Sequence, residues 1–213
     1  RASSANVESW HLGFYGGTKW GDIAFRTGAA YSWHDVSTVR TAAFPGFADS
    51  LTGDYGAGTG QFFGELAYDM DLGTYRLEPF ATLAYVHQSR SGFAEQGGAA
   101  ALTASSAATD TGFTTLGLRG ETEFDLGGTR MAAHATMGWR HAFGDATPNS
   151  THAFAGGAPF TISGAPIARD AAVIEAGLDL RFSPQASFGL SYSGQLAGNA
   201  QSHGFTARLG VSF

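Results

Sequence analysis

Residues 205–213 spell F-T-A-R-L-G-V-S-F, with an apolar side chain at every second position. Small or polar residues fill the positions between them, so one face of an extended segment would be apolar and the other polar. Alternation that continues up to an aromatic residue is typical of a membrane β-barrel strand, which has lipid on one side and water on the other. The apolar positions are Phe205, Ala207, Leu209, Val211 and Phe213.

The composition agrees with a barrel. The chain of 213 residues has the size of one domain, and 14 % of its residues are charged, against about 25 % in soluble domains. No stretch approaches the roughly 20 apolar residues that a transmembrane helix needs. The sequence contains 31 glycines and no cysteine, which excludes a disulfide scaffold and suits passage through an oxidising periplasm. The net charge of -6, without any Lys/Arg cluster, argues against nucleic acid as a partner.

The alternation extends along the chain and predicts an all-β, antiparallel fold. Most of the predicted strands are longer than the ~5–6 residues usual in globular proteins. Only the segment 74–89 is ambiguous, because Tyr85 favours one phase and Phe80 the other. The nine predicted strands are about 7–16, 20–35, 57–71, 74–89, 112–125, 129–143, 170–182, 186–197 and 202–213.

The polar faces separate two β architectures. A soluble β-sandwich also alternates, but its polar face meets bulk water and usually carries Lys and Glu. Here Lys19 is the single lysine, and the polar faces carry Arg, Asp and Glu, which suit a confined interior. We therefore favour a transmembrane barrel. The predicted lumen-facing polar residues are Arg26, Glu65, Asp69, Arg119, Glu121, Glu123, Asp125, His134, Arg140, Glu175, Asp179, Arg181 and Arg208.

The connections alternate between short and long. Outer-membrane barrels have short periplasmic turns and longer extracellular loops, so the last strand would run towards the periplasm. The D-L-G and L-G-G sequences at two short connections supply the positive φ angles of tight turns. The short connections are 17–19, 71–74, 125–128 and 183–184. The long ones are 36–56, 90–111 and 144–169, and a short exception lies near 198–201.

Aromatic residues lie near the ends of the predicted segments. Trp and Tyr at both edges of an apolar band indicate interfacial girdles, although ordinary wall positions are the alternative interpretation. The predicted interfacial residues are Trp10, Trp20, Trp33, Tyr68, Tyr85 and Trp139.

Several ordered strings resemble the C-terminal translocator domain of type V autotransporters of Gram-negative bacteria. The resemblance covers essentially the whole chain, and it rests on the order and spacing of the strings rather than on any one of them. They are W-H-L-G-F-Y-G-G at 10–17, F-F-G-E-L-A-Y at 62–68, L-E-P-F-A-T-L-A-Y-V-H at 77–87, T-L-G-L-R-G at 115–120, G-W-R-H-A-F-G-D at 138–145, A-G-L-D-L-R-F-S-P at 176–184, S-Y-S-G-Q-L at 191–196 and the final Phe.

This resemblance implies a twelve-stranded barrel in the bacterial outer membrane, with an α-helix in the pore that leads to a passenger domain outside the cell. The barrel would assist export of that passenger. The implied partners are outer-membrane lipid and lipopolysaccharide, the protein's own passenger and pore helix, the barrel assembly machinery and periplasmic chaperones. We expect a monomer. The assembly signal would be Phe205, Leu209, Val211 and Phe213.

Nine strands are fewer than the family's twelve, and an odd-numbered open sheet would leave backbone groups unpaired in hydrocarbon. We therefore expect that residues 1–213 are an N-terminally incomplete translocator domain, without the pore helix and about three strands.

No catalytic signature is found. The segment 189–194 lacks the strand–helix elbow of a hydrolase, and the seven histidines show no metal-binding spacing. We expect neither enzymatic activity nor a cofactor. The row Glu121, Glu123 and Asp125 beside Arg119 has two interpretations: a charge patch that holds the helix or steers a passenger, or a solvated pore wall. The alternative function is a porin or adhesin barrel without a passenger, and a membrane-embedded enzyme is a third class.

Overall fold

The computed structural model describes residues 3–183 and 185–211, in which the regular elements are antiparallel β-strands. Within this part of the chain, no helix is long and apolar enough to cross a membrane. The strands are β1 (Ser3–Trp20), β2 (Ile23–Phe44), β3 (Phe47–Tyr68), β4 (Met70–Asp71), β5 (Tyr75–Arg90), β6 (Phe93–Ala94), β7 (Leu102–Ala104), β8 (Ala107–Leu126), β9 (Thr129–Gly144), β10 (Asn149–Phe154), β11 (Phe160–Ser163), β12 (Asp170–Ser183), β13 (Ala186–Ala197) and β14 (Gln201–Val211).

The long strands form one sheet, in which each strand pairs with the next long strand along the chain. The order is β1-β2-β3-β5-β8-β9-β12-β13-β14, and the short β4 pairs with β5. The described residues therefore confirm the prediction of nine principal antiparallel strands. β1 and β14 are the two edges of this sheet. We call the end with connections 44–47, 91–106, 145–169 and 198–200 the loop end, and the opposite end the turn end.

Two predicted connections are wrong. The predicted turn at 17–19 is part of β1, which continues to Trp20 and pairs with Ile23 around Gly21. The predicted loop 36–56 is a β-hairpin, because β2 and β3 stay paired out to Phe44 and Phe47. The rings of these two residues stack with their centroids 4.7 Å apart, and Gly46 between them has a φ of 83°. The pairing of the two strands thus extends well past the part that the sequence pattern marked.

The prediction for the tight turns is confirmed at two places. Gly73 has a φ of 82°, and Gly127 and Gly128 have φ angles of 61° and 85°. Side chains with a Cβ rarely adopt this left-handed region, so glycine lets the strands reverse within a few residues.

The apolar side chains of the sheet point outwards. Leu83 is 62 % exposed, Met137 66 %, and Phe205 and Leu209 77 % each. In contrast, the buried apolar side chains among the described residues are few and mostly alanines. A water-soluble sandwich would place its large apolar residues between two layers. The exposure pattern is the reverse of that arrangement.

The sheet curls, and the polar faces lie on its concave side. Glu65 of β3 and Ser202 of β14 line the same cavity of about 390 Å³, although their strands lie far apart in the sheet order. Phe80 lines this cavity too, and it is buried with Ala24 and Ala67. The ambiguous segment 74–89 is therefore resolved: Phe80 faces the concave side, and Tyr85 faces outwards.

The packing of the Phe80 ring leaves no room for a side chain at position 117 of the neighbouring strand. Its ring lies over Gly117 of β8, where an added Cβ would come within 2.6 Å of Phe80 Cζ and 2.7 Å of the Met137 carbonyl oxygen. The ring could rotate away, but the backbone carbonyl could not move without distorting β9.

We expect Gly117→Ala to destabilise the barrel by about 1–3 kcal/mol, the usual cost of overpacking. The measurement is the urea midpoint at which the folded, heat-modifiable gel band is lost in detergent. Gly16→Ala is the matched control, because nothing lies within 4 Å of a Cβ at that position. Equal midpoints for the two variants would contradict the packing argument.

Candidate functional site on the concave face

Cross-strand register brings the charged residues of the concave face together. Arg26 of β2 pairs with Glu65 of β3, and Glu65 pairs with Thr82 of β5. Thr82 in turn pairs with Thr115 of β8, and four residues further towards the turn end of β8, Arg119 pairs with Glu78 of β5. Because residues directly opposite on one face lie ≈ 5 Å apart, this register predicts a contiguous polar cluster.

Two arginines and two glutamates form that cluster, which we call the concave charge cluster (Arg26, Glu65, Glu78 and Arg119). Arg119 donates to both oxygens of Glu65, at 2.8 and 2.7 Å, and to Glu78 Oε1 at 2.8 Å. Arg26 donates to Glu78 at 3.0 and 2.7 Å and to Glu65 Oε1 at 2.9 Å. Each guanidinium thus bridges both carboxylates, which joins four strands through one network.

The carboxylates are the inner members of this cluster. The side chain of Glu65 is 8 % exposed and that of Glu78 14 %, whereas Arg26 is 44 % exposed. The Thr82 hydroxyl donates to Glu65 Oε2 at 2.8 Å, and the Arg119 guanidinium lies 3.9 Å from the centre of the Phe80 ring. Burial of a carboxylate is tolerated only with such partners, so the four charges depend on one another.

Sequence reasoning identified three members of this cluster and missed Glu78. Glu78 lies in the strand of ambiguous phase, and it shares its face with Phe80 and Thr82. The alternation Glu78–Phe80–Thr82 was the available signal, because every second residue of a strand points to one side.

A second group of charges lies nearer the turn end. Lys19 donates to Asp69 at 2.6 Å, and Arg76 lies 3.7 Å from Asp69 and 3.6 Å from Glu121. Lys19 and Arg76 were not among the predicted lumen residues. These pairs are more exposed than the concave charge cluster, so each contributes little stability by itself.

The other predicted polar residues are spread along the same face. His134 lies 3.5 Å from Asp179. The Asp179 carboxylate lies beside Gly189, and Gly189 is opposite Arg208 in the register of β13 and β14. The structure does not gather the remaining ones into either charge group. Arg140 donates to Gln195, and Glu175 lines the cavity of about 390 Å³. Glu123 lies in a pocket beside the 72–74 turn, and Asp125 accepts from the Gly128 N–H in its hairpin. Arg181 pairs with Arg130 in the register of β12 and β9.

The outward face holds the predicted aromatic residues in two groups. Trp20 and Tyr68 lie at the turn end, where both neighbour Ile23 in the register. The loop-end group is Trp10, Trp33, Tyr85 and Trp139. From Ile23 to Trp33 the strand rises about 33 Å, or about 25 Å across a membrane at the usual ~40° tilt. That spacing matches the apolar band of an outer-membrane barrel.

Three of the predicted assembly residues lie on the outward face of β14. Phe205, Leu209 and Val211 are all exposed there. Phe213 lies outside the described residues.

The long connections at the loop end fold into a second sheet. Its strands follow the order β11-β10-β7-β6, and we call this four-stranded sheet the cap. The cap lies against the concave side of the β2–β3 hairpin, where Phe93 stacks on Tyr55 with centroids 4.6 Å apart. Leu51 of the same hairpin is completely buried. The predicted loops at 90–111 and 144–169 therefore contain regular structure.

One ion pair fastens the cap to the hairpin. Arg40 Nε donates to Glu95 Oε1 at 3.0 Å, and Arg40 Nη2 donates to Glu95 Oε2 and to the Ala100 carbonyl. The Glu95 side chain is 8 % exposed. The hydrogen bond from Arg40, helped by the Leu102 N–H, holds the pKa of Glu95 below its ordinary value, against the opposing effect of burial.

In residues 3–183 and 185–211, no three His, Cys, Asp or Glu side chains are placed to hold a metal ion. The carboxylates of the concave charge cluster are saturated by arginines, so they are poor general bases. The arrangement can brace a wall and line a polar passage.

We expect Glu65→Gln to weaken the wall, because it leaves two guanidiniums sharing one carboxylate. The expected loss is about 1–3 kcal/mol of unfolding free energy, measured as the urea midpoint in detergent. Glu175→Gln is the control, since this carboxylate lies on the same face but outside the cluster. A loss of equal size in both variants would contradict a specific brace.

The cap should loosen in acid. A carboxylate whose folded pKa is lowered stabilises the fold above its ordinary pKa of about 4.3, and this contribution is lost as the pH falls through the folded value. A fluorophore on Ala94→Cys, in a chain that has no other cysteine, should therefore gain rotational freedom below about pH 4.3. Adding Glu95→Gln should give the freer signal at pH 7 and flatten the pH dependence. An unaltered acid transition would show that another group controls the cap.

Comparison with known proteins gives a match to a family model and two similar proteins. Residues 1–193 match the family model described as "Autotransporter beta-domain". Two proteins of Serratia marcescens, each named "Extracellular serine protease", are 36 % and 35 % identical to this chain over 208 residues. Those alignments cover 97 % of this chain and 20 % of each relative, so the chain spans about one fifth of the curated relatives that it matches.

A solved structure, the transport unit of the autotransporter AIDA-I from Escherichia coli, aligns with 99 % of this chain and 84 % of its own. The sequence identity is 10 % and the TM-score is 0.30.

Proposed function

The chain belongs to the autotransporter β-domain family, and we propose that it is the outer-membrane barrel that anchors an N-terminal passenger and assists its passage to the cell surface. The single observation that carries this proposal is the inverted distribution of side chains. Residues such as Met137 and Leu209 are exposed on the outside, while the concave charge cluster lies inside. Such a molecule fits a hydrocarbon surrounding and a wet interior.

The proposed orientation places the loop end outside the cell and the turn end in the periplasm. The loop end carries the cap and the long β2–β3 hairpin, which are much larger than the short periplasmic turns of outer-membrane barrels. Such barrels have their long connections outside the cell. The C-terminal strand then runs towards the periplasm. The two aromatic groups, about 25 Å apart across the membrane, would lie at its two interfaces.

In a membrane, further strands are needed beside β1 and β14 to complete the wall. The edges β1 and β14 present backbone groups that have no neighbouring strand in the described residues. Unpaired backbone groups are not tolerated in hydrocarbon, so we propose that further strands of the protein pair with these edges. A pore helix and the passenger linker would then share the lumen with the concave charge cluster.

The remaining partners follow from an outer-membrane location. The proposed assembly signal is the outward face of β14, Phe205, Leu209 and Val211 together with Phe213, read by the barrel assembly machinery after delivery by periplasmic chaperones. Lipid and lipopolysaccharide would surround a monomer. The domain itself would have no catalytic role. A protease passenger is a candidate, because the relatives carry that name and only a fifth of their length is matched.

The test uses the full-length protein expressed in a Gram-negative host. Deletion of Phe213 should lower both the heat-modifiable band in the outer-membrane fraction and the surface display of the passenger by severalfold, because the proposed assembly signal loses one of its two aromatic residues. Thr206→Ala, on the polar face of β14, is the control. Undiminished insertion after the deletion would refute the assembly signal. A barrel that inserts normally without displaying a passenger would instead favour a porin or adhesin.

A further inference from the structure

The outward face carries a polar unit at the loop end of β5 and β8. The Tyr85 hydroxyl donates to Asp110 Oδ1, and His87 Nδ1 lies 2.7 Å from the same oxygen. Tyr85 and His87 are two residues apart on one strand, and Asp110 lies directly opposite His87 on the next strand. A tyrosine, an aspartate and a histidine are thus joined on the surface that also carries Leu83.

The same unit recurs on β9 and β12. Trp139 Nε1 donates to Asp170 Oδ1 at 3.0 Å, and His141 Nδ1 lies 2.9 Å from that oxygen. The aromatic residue and the histidine are again two positions apart, and Asp170 is directly opposite His141. A partial copy occurs on β13 and β14, where the Tyr192 hydroxyl lies 2.9 Å from His203 Nδ1. Repetition on separate strand pairs argues against a chance contact.

The charge of the aspartates determines the depth at which these units can lie in the membrane. An ionised aspartate on the lipid face is unfavourable at the membrane midplane and nearly neutral at its surface. Asp110 and Asp170 both lie near the loop ends of their strands. On the proposed orientation, the units therefore lie at the outer boundary of the hydrocarbon, among the lipid headgroups.

Each unit offers three kinds of contact to a headgroup. In both units the two internal hydrogen bonds converge on Oδ1 of the aspartate, so Oδ2 remains for an outside donor. The imidazole is engaged through Nδ1, so Nε2 is left to donate to an anion when the ring is protonated. The aromatic ring supplies an apolar face. Together these groups match a phosphorylated sugar, which has hydroxyl donors, an anionic phosphate and a flat apolar surface.

We propose that the units Tyr85–His87–Asp110 and Trp139–His141–Asp170 bind the phosphorylated sugar headgroups of lipopolysaccharide in the outer leaflet. This inference rests on the proposed outer-membrane function. Simple anchoring at an interface requires only the aromatic ring, as at Trp10 and Trp33. The paired histidine and aspartate add directed donors and acceptors that anchoring alone does not need.

The experiment uses the full-length protein purified in detergent, with lipopolysaccharide, phosphatase-treated lipopolysaccharide and phosphatidylglycerol as separate probes. Bound lipid is measured by native mass spectrometry. The test variant combines His87→Gln and His141→Gln, and the matched control combines His11→Gln and His34→Gln on the concave face. Heat-modifiable mobility confirms that each variant is folded. Imidazole nitrogen NMR signals of the wild-type protein, recorded with and without lipopolysaccharide, would test the contact without any mutation.

We expect wild-type protein to bind untreated lipopolysaccharide more tightly than either other probe. The test variant should lose about tenfold or more in affinity, the loss expected for hydrogen bonds to a charged group, and the control should lose none. Equal binding of the three probes, an unaffected test variant, or unshifted imidazole signals would each overturn the proposal. Absence of the protein from the outer-membrane fraction would refute the proposed function instead, while binding in detergent would still decide this site.

Discussion

Hydrocarbon cannot hydrogen-bond to a peptide group, and this constraint organises the whole molecule. Each long strand inside the sheet pairs on both sides, which leaves the backbone of the wall satisfied except at β1 and β14. The side chains then divide by face, with Leu83 and Met137 outside and polar groups inside. The buried apolar set is accordingly small and dominated by alanine, because lipid takes the place of a protein core.

The same constraint explains why the charges are arranged in balanced groups. Away from the cap, no second layer of the described residues packs against the concave face, so side-chain contacts across strands there come from the residues of that face. In the concave charge cluster, two guanidiniums and two carboxylates alternate, and each charge has partners on neighbouring strands. Phe80 packs beneath Arg119 and against Gly117, which adds an apolar contact to the polar brace.

The sequence predicted the local features well, because alternation is a property of each strand by itself. It predicted nine principal strands and the glycine turns at 73 and 127–128, which the structure confirms. It failed where the outcome depends on distant partners. The 36–56 hairpin and the cap are held by contacts such as Arg40–Glu95 and Phe93–Tyr55, which join residues far apart in the chain. Glu78 was missed because its strand had an ambiguous phase, which its contacts with Arg26 and Arg119 on two other strands resolve.

The concave charge cluster is neutral, and this helps to decide whether charges on the concave face attract a passenger or simply form a solvated wall. Two positive and two negative side chains cancel, so the cluster exerts little net attraction on a chain that passes it. A passage that must release its cargo works better with a wall whose charges are already paired than with one that binds the cargo. The more exposed group of Lys19, Asp69, Arg76 and Glu121 is balanced in the same way. Both groups therefore favour a solvated, self-neutralised wall over a patch that steers a passing chain.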